Sequence, residues 1–112
     1  MAVVEYKKQK PLDDSLEDFV IAVMDWDDKR KKLASFCVIQ LYCPREKNFE
    51  VIKFDSAHGS CHVHRYYQRL GHKGEKIDAA ITAGTFNQCL GDIKQNWRKY
   101  RQWYKEKWLS QK

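Results

Sequence analysis

T-F-N-Q-C-L-G-D-I-K-Q-N-W-R-K-Y-R-Q-W-Y-K-E-K-W (85–108) carries large apolar side chains at Phe86, Leu90, Ile93, Trp97, Tyr100, Tyr104 and Trp108. Steps of three and four bring one of them to the same side of every helical turn, so the stretch reads as a long amphipathic helix. Gly84 stands just before it and Thr85-x-x-Gln88 has the form of a capping box, which sets the expected helix at 84–109. Such a stripe is stable only when buried, and the rest of the chain must supply the surface that buries it.

Upstream the period changes to two. E-D-F-V-I-A-V-M-D-W (17–26) has apolar residues on both faces and reads as a central strand. L-A-S-F-C-V-I-Q-L-Y-C (33–43) is a second strand, stopped by Pro44, and F-E-V-I-K-F-D (49–55) and C-H-V-H-R-Y-Y (61–67) are a third and fourth. D-D-K-R-K-K (27–32) is a solvated turn. Residues 1–16, polar and holding Pro11, read as an irregular lead-in, and 68–83 as a loop around the glycines of R-L-G-H-K-G-E-K (69–76). The expected architecture is one α+β domain over 1–112: an antiparallel meander sheet of about four strands (17–67) packed against one long C-terminal helix.

Composition narrows the class. A chain of 112 residues with 43% hydrophobic content supports one core and argues against disorder. The N-terminal apolar stretch is too short for a signal peptide, and no apolar run approaches the ~20 residues of a membrane span, so a soluble cytoplasmic protein without a membrane partner is expected. Cys37, Cys43, Cys61 and Cys89 include no C-x-x-C pair, which removes a zinc ribbon, and the context does not favour disulfides. Net charge is +6, and residues 84–112 hold seven Lys/Arg against two Asp/Glu. Lys94, Arg98, Arg101 and Lys105 form a basic edge beside the apolar stripe. Such an edge suits RNA phosphates or an acidic protein partner, and a solvated helix face accounts for it equally.

The segment D-S-A-H-G-S-C-H-V-H-R-Y (55–66) concentrates the chemistry. If Ile52 and Phe54 face the core together with Cys61 and Val63, then Lys53, Asp55, His62, His64 and Tyr66 share the opposite face, with His58 in the loop above them. Asp55 is then expected close to His62. A histidine beside a carboxylate can move protons near neutral pH, and Lys53, Arg65 (near the strand end) and Tyr66 could hold a phosphate and its developing charge, which makes Asp55, His58, His62, His64 and Tyr66 the candidate catalytic residues. Metal-free RNA cleavage needs little more than a base, an acid, a cation and the substrate's own 2′-hydroxyl. Alternatively His62 and His64 present two imidazoles to a metal, with His58 or Asp55 as a third ligand and an open position for water. The plain alternative is polar alternation on a half-exposed strand. His72, between Gly71 and Lys73, reads as a surface histidine.

D-x-A-H-G-x-x-H-x-H (55–64), entered from V-x-K-F-D, resembles a hairpin shared by small uncharacterised prokaryotic proteins. More distantly it is similar to TumE-type toxins of toxin–antitoxin pairs. The resemblance spans roughly residues 17–70; Cys61 and the long aromatic helix are not part of that pattern. It implies a growth-inhibiting ribonuclease neutralised by an antitoxin-like protein, with Asp55, His58, His62 and His64 as functional positions. The expected function is therefore a toxin-like, RNA-directed protein working as a metal-independent ribonuclease without cofactor. A non-enzymatic module, dimeric and acting through the basic helix, and a metal-binding protein are the competing expectations.

Overall fold

The computed structural model describes residues 3–56, 59–69 and 74–109. Six strands form one antiparallel sheet in chain order: β1 (Val3–Pro11), β2 (Asp18–Asp27), β3 (Lys32–Tyr42), β4 (Phe49–Asp55), β5 (Cys61–Arg65) and β6 (Glu75–Ile77). A single long helix, α1 (Ala83–Tyr104), follows and runs on into a π-helical turn, Lys105–Leu109. No helix among the described residues is long and apolar enough to cross a membrane.

The sheet has six strands where the sequence pattern suggests four. The lead-in contains β1 and the 68–83 loop contains β6. Both are edges, and each escapes pattern reading for a physical reason. β1 is exposed along its whole length, so nothing selects apolar residues at alternate positions. Its lysines and its terminal Pro11 suit an edge that must not pair with another chain. β6 is three residues long, too short to display a period.

The helix begins at Ala83, one residue before the expected start, but its cap is not the expected one. Thr82 is the N-cap, its hydroxyl accepting the Thr85 amide at 3.1 Å, so Thr85-x-x-Gln88 lies inside the helix rather than at its start. Phe86, Cys89, Ile93, Trp97, Tyr100 and Tyr104 are buried against the sheet, while Leu90 and Trp108 are only partly covered. α1 lies over β3 and β4, where Val38, Ile52 and Ile93 are at most 1% exposed. Val51, also shut from solvent, is the extra residue where the β3–β4 register steps from Gln40↔Ile52 to Leu41↔Glu50.

Polar groups fix how the helix sits. The buried Gln40 amide donates to the Trp97 carbonyl at 2.9 Å. Arg101 Nη1 reaches the carboxylate of Asp18, which has no exposure at all, at 2.7 Å. Burial pushes the Asp18 carboxyl above its ordinary value, and the Arg101 guanidinium opposes this. The far end is tied by Trp108, whose indole N–H donates to the Tyr66 carbonyl at 2.9 Å.

Candidate active site

The register across the sheet decides which side chains meet. Val38↔Phe54 and Phe54↔Val63 place the core residues under α1. Ile39↔Lys53↔His64 and Cys37↔Asp55↔His62 then form two parallel rows on the face that α1 leaves open. Lys53, Asp55, His62 and His64 therefore do share one face. They arrive from β4 and β5 because the apolar residues alternating with them are claimed by the helix.

Within the cluster the close contact is diagonal. Asp55 Oδ2 lies 3.2 Å from His64 Nε2 and 3.9 Å from Lys53 Nζ, and the Asp55 and His64 side chains are each 14% exposed. His62, directly opposite Asp55, instead turns Nδ1 towards the Ser60 carbonyl at 3.1 Å. The expected Asp55–His62 contact is thus an Asp55–His64 contact. Behind it, the Tyr66 ring stacks on His64 at 5.7 Å between centroids. Tyr66 is held in place from the other layer: its carbonyl takes the Trp108 indole, and its neighbour Tyr67 stacks on Tyr100 at 5.2 Å.

The charges are set by these neighbours. Burial pulls the Lys53 ammonium down, but Tyr66, Glu50 and Asp55 outweigh it and hold Lys53 above its ordinary value. Burial raises the Tyr66 phenol, with Lys53 partly opposing. At neutral pH the site therefore presents a cationic Lys53 and a protonated Tyr66. Cys37, the β3 neighbour of Asp55, is not an extra nucleophile, since burial pushes its thiol up to about 11 and keeps it protonated.

Gly74 is a contributor that sequence pattern gives only as a loop glycine. Its φ of +99° suits glycine, and a Cβ there would sit 2.8 Å from His64 Cε1, so the backbone of Gly74 lies against the imidazole. No local signal could reveal this, because the contact joins positions ten residues apart through the β5–β6 pairing.

Arg65 does not join the cluster. It lies on the helix side of β5, with Nη1 2.8 Å from the Glu75 carboxylate. His58 and His72 lie outside the described residues, so the His58/His62/His64 ligand set does too. Among the described residues no three His, Cys, Asp or Glu side chains come together in a metal-binding arrangement.

The basic edge of α1 is divided among several tasks. Arg101 serves buried Asp18, the Arg98 guanidinium covers the Trp97 ring at 4.5 Å, and Lys105 lies over Tyr42 at 5.7 Å. Lys94 stands apart from these, beside Lys8 and Lys10 of β1.

The model of a family described as a domain of unknown function, DUF7718, matches residues 6–110. The chain belongs to the DUF7718 family. That match takes in most of β1, all the other strands and α1, so the His64 cluster and the basic helix are parts of one DUF7718 unit. No curated protein and no solved structure matches the chain.

Proposed function

We propose that this protein is a toxin-like, RNA-directed enzyme: a metal-independent ribonuclease whose acid–base centre is the His64–Asp55–Lys53–Tyr66 cluster. The observation that carries the reading is the 3.2 Å contact of Asp55 with His64, beside a cationic lysine, on the sheet face that α1 leaves open. The more distant similarity of this region to TumE-type toxins points the same way.

In this scheme Asp55 holds His64 through Nε2, and Nδ1 takes the proton of a ribose 2′-hydroxyl. The 2′-oxygen attacks the adjacent phosphorus, the bond from phosphorus to the 5′-oxygen breaks, and protonated His62 gives its proton to the departing oxygen. The products are a 2′,3′-cyclic phosphate and a 5′-hydroxyl. Lys53 stabilises the charge that builds on the phosphoryl oxygens. Arg65 has no part in this scheme, since its guanidinium is engaged by Glu75 on the other side of the sheet.

The test is cleavage of a single-stranded RNA in EDTA. Wild type is expected to yield cyclic-phosphate ends and to leave a 2′-deoxy analogue intact. His64→Ala should lower kcat by about 10²–10⁴-fold. Gly74→Ala should also lower it, because the new methyl group displaces the imidazole. Wild type that leaves RNA intact, or a His64→Ala protein as active as wild type, overturns the reading.

A further inference from the structure

The sheet is wider than its helix. Strands lie about 4.8 Å apart and a helix is about 10 Å across, so one helix covers roughly two strands. α1 occupies β3 and β4, and on the same face β1 and β2 carry no helix among the described residues. A groove of about 210 Å³ results, bounded by β1 on one side and α1 on the other.

Its chemistry is two-fold. Ala22 and Met24 of β2 form a partly exposed apolar floor that Leu90 of α1 extends, and Val20 lies beneath. Lys8 and Lys10 rise from β1 along one rim and Lys94 from α1 along the other, and none of the described residues that line it is acidic. An apolar floor between two cationic rims matches a helix with an apolar stripe flanked by carboxylates on both sides. The walls limit its length: Tyr6 to Lys10 spans about 14 Å of strand and Phe86 to Lys94 about 12 Å of helix, enough for about eight residues of a docked helix.

We propose that the β1–α1 groove docks an acidic amphipathic helix of a partner protein. A second copy of this chain does not fit the description. The residues 84–112 that hold its one long helix carry seven Lys/Arg against two Asp/Glu, and the helix's apolar side is already buried in its own core. Single-stranded RNA fits poorly as well, because the floor is aliphatic and, among the described residues, Tyr6 is the only aromatic ring exposed along it.

The inference is independent of the ribonuclease reading, since His64 and its partners lie on the opposite face of the sheet. The probe is a fluorescein-labelled synthetic 16-residue peptide with leucines at i, i+3, i+4 and i+7 flanked by glutamates. A scrambled peptide of identical composition is its control, both read by anisotropy at ~150 mM salt. Micromolar binding is expected, at least tenfold weaker for the scrambled peptide. Leu90→Asp should weaken it at least tenfold. Leu90 also touches the core, so Lys8→Glu/Lys10→Glu, on a strand exposed along its length, provides the second arm and should weaken it as much. Equal binding of the scrambled peptide, or of both variants, overturns the proposal. So does an absence of peptide binding in which an oligoribonucleotide instead loses affinity in Lys8→Glu/Lys10→Glu, because the groove would then be a nucleic-acid site.

Discussion

Under α1, Val38, Ile52 and Val63 are at most 2% exposed, whereas on the other face Ile21, Ile39 and Leu41 of the same sheet are left half-covered. The covered face pairs its buried polar groups in part: Gln40 Nε2 with a helix carbonyl and Asp18 Oδ2 with Arg101 Nη1, while Gln40 Oε1, Asp18 Oδ1 and Arg101 Nε find no hydrogen-bond partner among the described residues. The open face keeps Lys53, Asp55, His62 and His64 together at the β4–β5 end, next to its apolar strip. A cluster of polar and ionisable side chains is tolerated there because water can still reach it. The apolar core and the polar cluster thus lie on opposite sides of one sheet, linked where Tyr66 and Tyr67 point to different layers.

Truncation on the two sides should separate them most widely. Trp97→Ala, which removes a ring only 3% exposed under the sheet, should cost about 3–5 kcal/mol in denaturant unfolding. Ile39→Ala on the open face should cost about 1 kcal/mol. Equal costs would mean that something covers the open face in solution. Next in size is the buried charge. Arg101→Met strands the Asp18 carboxylate and should cost about 3 kcal/mol, largely recovered in Arg101→Met/Asp18→Asn. Failure of the second change to rescue would show that the guanidinium contributes by packing rather than by charge.

The smallest effect tests how open the open face is. Cys89, on the sheet-facing side of α1, and Cys37, on the open face, are both raised by burial from 9.0 to about 11. In the folded state these thiols hold their protons above the pH at which the unfolded chain releases them. Their contribution is therefore complete below pH 9 and is lost as pH rises from about 9 to about 11. Tm should fall across that window, and Cys37→Ala and Cys89→Ala should each make the fall shallower. A slope that Cys37→Ala leaves unchanged would place Cys37 in water and make the two faces more different than they are drawn here.

What could be read without coordinates follows from periodicity. The α1 stripe from Phe86 to Tyr104 and the alternation of β2 to β5 are each set by burial on one side, and burial leaves its mark on residue type. β1 and β6 leave none, one because both its faces are wet, the other because it is too short. The face shared by Lys53, Asp55, His62 and His64 was legible for the same reason as the core, since fixing the apolar alternates fixes the polar ones. The partner of Asp55 was not. Pairing predicts His62 opposite, but rotamer and neighbours put His64 within contact, and Gly74 completes its surroundings from another segment. Arg101 shows the limit from the other side: one more cation in a basic edge by sequence, it is the counter-ion of a buried carboxylate 83 positions away.

By itself the sequence determined an α+β architecture, the helix that closes it and the polar row on the third and fourth pattern strands, because those are consequences of side-chain period and of the cost of leaving apolar surface wet. Only the tertiary structure decided the diagonal Asp55–His64 contact, the diversion of Arg65 and Arg101 into ion pairs, and the groove that one helix leaves on a sheet six strands wide. Those depend on distances between segments, which no local pattern encodes.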